Sequence, residues 1–203
     1  RGLGDVYKRQ PIAAGMAGGS TDAAATLKGM NRLFDLGCTL KDLMELGVKI
    51  GADVPYCVMG GTALAEGIGE KLTPLAPAPD CYVLVAKPDI NVSTKYVYEH
   101  LDAQEIVKHP DIDGMVEAIA EESLQGILDR MENVLETVTV SAYPVIQTIK
   151  DRMKELGAIN SLMSGSGPTV FGIFVEKDMA RRAYDKLEEE QLAKQIFLTE
   201  FCE

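Results

Sequence analysis

Three short segments carry residue types that can do chemistry. The first is Pro11-Ile12-Ala13-Ala14-Gly15-Met16-Ala17-Gly18-Gly19-Ser20-Thr21, followed by Asp22. Gly15, Gly18 and Gly19 present no side chain, so backbone N–H groups can approach an anion, and Ser20 and Thr21 add hydroxyl donors. A helix beginning near Ser20 directs its unpaired N–H groups and the positive end of its dipole at the same spot. The arrangement suits the phosphates of a nucleotide. It is neither a Walker A loop, since no Lys follows the glycines, nor the dinucleotide fingerprint, since the spacing is G-x-x-G-G. The plainer reading is a flexible loop ahead of an ordinary helix. The second segment is Gly51-Ala52-Asp53-Val54-Pro55, where Asp53 can serve as a general base toward an alcohol; a turn or capping aspartate is the plainer alternative. The third is Ser164-Gly165-Ser166-Gly167-Pro168-Thr169, a second glycine loop placed to wrap the same ligand, or else a tight helix-to-strand connection. Asn133, Leu135 and Glu136 fall on a predicted helix and carry no signal alone. Lys71, Lys87 and Lys95 read as surface lysines.

The elements that must hold these segments follow from periodicity. Residues 22–36 form a helix with Ala23, Leu27, Met30 and Phe34 on one face, stopped near Gly37. A second helix follows Thr39 as N-cap, with Leu40, Leu43 and Met44 inward, and ends at Gly47. Tyr56 to Gly67 reads as strand, Gly60-Gly61 kink and strand. The Pro-rich 73–80 stretch is a connector and a possible domain boundary. Beyond it, 82–88 is a strand buried on both faces. A helix starts at Ser93 or Thr94, and 111–137 is helical. Helix 144–156 carries Val145, Ile149, Met153 and Leu156 on one face. The glycine turn, strand 170–175, helix 178–193 and strand 196–201 complete a split βαβ, α+β sandwich.

Composition excludes several classes of function. The chain has 203 residues, 46% of them hydrophobic and 25% charged, as in ordinary globular proteins. Trp is absent and aromatics are 6%, which argues against a stacking platform for nucleic acid. The formal net charge is −11, repelling nucleic acid and anionic membranes. Nearly all of it falls after residue 100, where 20 acidic side chains face 10 basic ones. The near-neutral first half is therefore the better place for an anionic substrate. The four cysteines are far apart and read as buried, reduced thiols of a cytoplasmic protein. His100 and His109 have no zinc-site spacing. No apolar run is long enough to span a membrane.

Taken in order, P-x-A-A-G-x-A-G-G-S-T-D-A-A-A-T-L, G-A-D-V-P, G-G-T-A-L-A-E-G-I-G-E, N-V-L-E and L-M-S-G-S-G-P-T-V-F resemble the GHMP small-molecule kinase superfamily from about Pro11 to the C-terminus. Within it, the resemblance is greatest to the branch that phosphorylates the 2-hydroxyl of 4-diphosphocytidyl-2-C-methyl-D-erythritol in non-mevalonate isoprenoid biosynthesis. The resemblance implies a GHMP kinase fold of α+β class. A partial N-terminal domain like ribosomal protein S5 would span 11–78, beside a ferredoxin-like C-terminal domain over 79–203. It implies ATP held by Pro11 through Thr21, Mg²⁺ near Ser20 or Thr21, and Asp53 as the catalytic aspartate. It places Thr94 and Tyr98 at the cytidyl diphosphate substrate, with Tyr98 as one ring against the cytosine, and Ser164, Gly165, Ser166 and Gly167 over the phosphates. Nucleic acid and membrane are not expected partners; a monomer or homodimer is.

Two departures stand out. The superfamily branch has a long segment ahead of Pro11, with a lysine beside the catalytic aspartate and further contacts to the cytosine. Lys8 falls in register with the end of that segment, but Gln10 replaces an apolar residue. Residues 1–10 are therefore expected to be a non-native leader, and the chain an impaired fragment, poorly soluble or weakly active. A different GHMP kinase, acting on homoserine, mevalonate or galactose, and a non-catalytic nucleotide-binding remnant are the alternatives.

Overall fold

The computed structural model describes residues 14–101 and 109–201. The expected leader, and Pro11, Ile12 and Ala13 of the first glycine loop, lie outside the described residues. The described residues begin with three helices, α1 (Gly18–Leu33), α2 (Leu40–Gly47) and α3 (Val54–Met59), and a hairpin of β1 (Ala63–Glu66) and β2 (Lys71–Pro74). Ala24, Leu43, Val54 and Val58 form a small core, with Ala23, Leu27 and Met44 packed around it. The face expected for α1 holds only in part. Met30 and Phe34 are 46% and 59% exposed, while Ala24, on another side of the helix, is buried. Leu40 also faces solvent, while Leu43 is buried.

Tyr56–Met59, read as strand, is helical. Short apolar runs do not separate strand from helix by period. Here Pro55, pre-set for the first helical turn, and the burial of Val54 and Val58 four residues apart decide for the helix. The proline-rich stretch after β2 is tied back to Thr62, whose carbonyl and hydroxyl oxygens accept from the N–H groups of Leu75 and Ala78.

Thr39 caps α2 as expected. Its hydroxyl accepts from Asp42 N–H, and the Asp42 carboxylate accepts from the Thr39 N–H at 2.8 Å and hydroxyl at 2.7 Å, a capping box. These bonds, the hydroxyl first, hold the Asp42 carboxyl below its ordinary value of 3.8. Thr39→Ala should cost about 1 kcal/mol at pH 7 in urea unfolding. Because the Asp42 carboxyl is lowered on folding, its contribution is present above the unfolded value and lost as pH falls through the folded one. The difference between wild type and variant should therefore narrow as pH falls below the ordinary aspartate value of 3.8.

The second half is built on β3 (Tyr82–Lys87). It continues through α4 (Thr94–His100), α5 (Ile112–Ala120), α6 (Leu124–Arg130), α7 (Glu136–Ala142), α8 (Val145–Glu155), β4 (Asn160–Met163), β5 (Val170–Phe174), α9 (Lys177–Glu189) and β6 (Gln195–Glu200). The sheet order is β4-β5-β3-β6, with every neighbouring pair antiparallel. Strands β3 and β4 thus run parallel with β5 between them, the split βαβ arrangement of a ferredoxin-like domain. Leu84 and Ala86 of β3 join Phe174, Ile149 and Met153 in the main core under α8 and α9. Val83 and Val85 turn to the other face, with Leu128 and Ile173. Each fully buried aliphatic or aromatic side chain here contributes roughly 1.5–3 kcal/mol.

Three readings from sequence change. Strand β4 was not foreseen, since four residues running into a glycine turn show too little alternation. The 111–137 stretch is three helices, broken at Glu122 in the left-handed region (φ 54°) and again after Arg130. Lys87 is not a surface lysine: it is 6% exposed, and its ammonium donates to the carbonyl oxygen of Ile90 at 3.1 Å. Of the cysteines described, Cys81 is buried, with its thiol pushed up by that burial. Cys38 and Cys57 are half-buried, and all three are free. No helix among the described residues is long and apolar enough to cross a membrane.

Candidate functional site

The start of α1 is built to leave donors unspent. Its N-cap is Ala17, in the left-handed region (φ 48°, ψ 30°), and a methyl group cannot cap. Thr21 N–H reaches Ala17 O at 2.8 Å. The N–H groups of Gly19 and Ser20, one and two positions earlier, donate to nothing among the described residues. The Thr21 hydroxyl also donates to Ala17 O, at 3.0 Å, and meets the Cys57 sulfur at 3.6 Å, tying the start of α1 to α3. Ser20 Oγ has no partner among the described residues, and it stands 3.9 Å from where a Gly51 Cβ would lie. The first glycine loop and the Gly51–Pro55 segment are therefore neighbours, as the chemistry requires.

Asp53 occupies the N-cap position of α3, and its carbonyl oxygen accepts from Cys57 N–H at 3.1 Å. Its side chain makes no capping bond and is exposed. Asp53 thus stands in a turn at a helix start, as the plainer reading has it, but its carboxylate is not engaged in a capping bond.

The second glycine loop closes on the first. Ser164 Oγ donates to Gly15 O at 2.7 Å. A Cβ on Gly15 would stand 2.3 Å from Ser164 O and 2.9 Å from Gly167 O, and Gly15 has φ +69°. Only glycine permits that approach. The loop is folded on itself by Gly167 N–H to Ser164 O (2.9 Å) and Ser164 N–H to Thr169 O (2.8 Å). The N–H groups of Gly165 and Ser166 donate to no described group. Thr169 is fully buried, with its hydroxyl unpaired among the described residues.

Thr94, at the start of α4, reaches this loop: Thr94 Oγ1 and Ser166 Oγ are 2.9 Å apart. Tyr98 lies four residues further on, on the same helical face, and is 60% exposed. The first glycine loop thus adjoins both the Gly51–Pro55 segment and the second loop, and the second loop adjoins the Thr94 helix.

Several residues here were not foreseen. Asn133 donates both amide hydrogens to the second loop, to Met163 O at 2.9 Å and Gly165 O at 2.8 Å. Glu136 accepts from Met163 N–H at 2.7 Å and from Lys150 at 2.5 Å. The Thr139 hydroxyl donates to Ser166 O at 3.3 Å. The N-V-L-E run was visible in the sequence, but its partners at the second loop lie 27 to 32 residues away.

Comparison with known proteins agrees with this geometry. The GHMP kinases N terminal domain profile matches residues 4–61, and the GHMP kinases C terminal profile matches 115–194. A 4-diphosphocytidyl-2-C-methyl-D-erythritol kinase of Lachnoclostridium phytofermentans is 57% identical over 199 residues, covering 98% of this chain and 68% of its own. One from Lachnospira eligens is 57% identical over 196 residues, covering 97% and 68%. The chain thus spans about two thirds of the length of these relatives. A crystal structure of 4-(cytidine 5'-diphospho)-2C-methyl-D-erythritol kinase superposes with TM-score 0.80 at 33% identity, covering 95% of this chain and 68% of that one. A homoserine kinase from Cytophaga hutchinsonii, 21% identical with TM-score 0.78, shares the fold. With its two glycine loops in contact and relatives this similar, the chain belongs to the GHMP kinases, in the family whose members are named 4-diphosphocytidyl-2-C-methyl-D-erythritol kinase.

Proposed function

We propose that this protein transfers the γ-phosphoryl group of ATP to the 2-hydroxyl of 4-diphosphocytidyl-2-C-methyl-D-erythritol, a step in isoprenoid precursor synthesis in the cytoplasm. One observation carries the reading. The uncapped start of α1 lies beside Gly51 of the Asp53 segment, and the first glycine loop is bonded through Gly15 to the second, with unspent N–H donors on both loops. Such donors bind anionic oxygen without a cation of their own.

In this reading, Gly15 through Thr21 hold the triphosphate, in continuation of Pro11, Ile12 and Ala13. The N–H groups of Gly19 and Ser20 meet phosphate oxygen. Ser164, Gly165, Ser166 and Gly167 close over the same phosphates and exclude water. Asp53 accepts the proton of the substrate hydroxyl as the new bond to phosphorus forms. Catalysis of this kind is mostly positioning and charge neutralisation. Thr94 and Tyr98 face the substrate side, with Tyr98 offering its ring to the cytosine.

The residues also fit Mg²⁺. No group of three acidic, His or Cys side chains that could cage a metal occurs among the described residues, and Mg²⁺ typically keeps phosphate and water ligands with only one or two protein groups. The Ser20 hydroxyl, unpaired and beside Gly51, fits such a ligand. Thr21 fits less well, because its hydroxyl is engaged with Ala17 O and Cys57. When bound, the ion would neutralise charge on the transferring phosphoryl group.

The test is an ADP-release assay with Mg·ATP and a panel of alcohols: the cytidyl diphosphate substrate, homoserine, mevalonate and galactose. Turnover of the cytidyl substrate alone, weak in a chain spanning two thirds of its relatives' length, is the expected result. Preference for another alcohol would assign a different GHMP activity. Nucleotide binding with no turnover of any alcohol would leave a nucleotide-binding module.

A further inference from the structure

We propose that Asn133, backed by Glu136 and Thr139, is a positioning residue that orients the Gly165–Ser166 peptide so that its N–H faces the ATP phosphates. The proposal rests on the kinase reading above and adds residues to it.

The argument begins with the peptide bond. In a trans peptide the C=O of one residue and the N–H of the next point in opposite directions. The carbonyl of Gly165 accepts from Asn133 Nδ2 at 2.8 Å. The Ser166 N–H must therefore point away from Asn133, and it donates to no described group. The same amide nitrogen holds Met163 O at 2.9 Å, which sends the Ser164 N–H the other way, to Thr169 O at 2.8 Å. One side chain thus sets two alternate peptide planes of the loop.

Asn133 is itself oriented. Its Oδ1 accepts from Leu135 N–H at 3.0 Å. With that bond in place the NH₂ group must face the loop, and its two hydrogens are both used. The residues behind it repeat the pattern at a spacing of three, which keeps them on one side of α7 and its lead-in. Glu136 takes Met163 N–H and is anchored by Lys150 from α8. The Thr139 hydroxyl donates to Ser166 O. Asn133, Glu136 and Thr139 thus grip Met163, Gly165 and Ser166, and the Ser166 N–H stays unspent. A loop held only for packing would not need its carbonyls drawn consistently to one side.

The experiment compares Asn133→Asp and Thr139→Val with wild type. The first is nearly isosteric and keeps the acceptor for Leu135 N–H, but it sets a carboxylate oxygen against two carbonyls. The second removes only the hydroxyl, and Thr139→Ser restores it. Three quantities are read: the Kd for Mg²⁺ with a non-hydrolysable ATP analogue by calorimetry, the Kd for adenosine by NMR, and the thermal midpoint. Asn133→Asp should weaken the triphosphate about 10- to 100-fold, the worth of one hydrogen bond to a charged group, while adenosine changes by less than about twofold. Thr139→Val should act in the same direction, with Thr139→Ser close to wild type. A folded variant that weakens both ligands equally, or neither, overturns the proposal, because a purely structural role does not single out the phosphates. Wild type failing to bind the triphosphate would overturn the kinase reading, and this proposal with it.

Discussion

Asp53→Asn should lower phosphoryl transfer by about 10²- to 10⁴-fold, the usual worth of a positioned general base, while leaving nucleotide affinity and thermal midpoint close to wild type. The substitution is isosteric. The Asp53 side chain makes no capping bond to lose, and the bond from Cys57 N–H goes to its backbone carbonyl. Neither α3 nor the adjacent core of Val54 and Val58 should notice the change. What disappears is the ability to accept a proton from the alcohol. Single-turnover phosphorylation in excess ATP, beside calorimetry with a non-hydrolysable analogue, separates the two effects. Transfer within threefold of wild type would remove Asp53 from the chemistry. A matching fall in nucleotide affinity would make it a binding residue instead.

Gly15→Ala should be the most damaging small substitution in the nucleotide loop. The new Cβ would sit 2.3 Å from Ser164 O, 2.9 Å from Gly167 O and 3.0 Å from Gly167 N, all backbone atoms that cannot swing aside. The backbone at φ +69° adds a left-handed penalty of about 1–2 kcal/mol. Overpacking of this kind adds about 1–3 kcal/mol. A loss near 3 kcal/mol in urea unfolding is expected, with nucleotide affinity down about 100-fold or more as the two loops part. Gly19→Ala is the internal control. A Cβ there meets nothing within 4 Å, and alanine favours helix over glycine by about 1 kcal/mol, so stability should hold or rise. Equal stability for the two variants would mean that the loop contact is not what holds Gly15.

How much of this was legible in the sequence follows from distance along the chain. Gly15, Asp53 and Ser164 stand in short runs whose chemistry is local: glycines for close approach, a carboxylate beside a proline turn. The split βαβ pattern was readable because α8 and α9 are long amphipathic helices and β3 is a clean apolar run. Asn133 was not readable, since Met163 and Gly165 are 30 and 32 residues away and the sequence placed it on a helix, whereas it stands in the loop ahead of α7. Lys87 misled for a related reason. A lysine ending a strand is usually solvated, and only the fold shows that the carbonyls of Pro88 and Ile90 receive its ammonium. Val54–Met59 and Asn160–Met163 were too short for period to decide, and tertiary packing assigned them.

The bond from Ser164 to Gly15 spans 149 residues, and that span carries a consequence for how the site comes into being. Closing so long a loop is opposed by chain entropy until most of the intervening structure exists, so the phosphate cradle must be among the last features to form. Anything that binds only the closed cradle then acts on the whole folding equilibrium, by RT ln(1 + [L]/Kd). At a hundredfold excess of nucleotide over Kd this is about 2.7 kcal/mol, shared by the two loops. The nucleotide would thus act as a reversible cross-link, and protease resistance of both loops should rise together with its concentration.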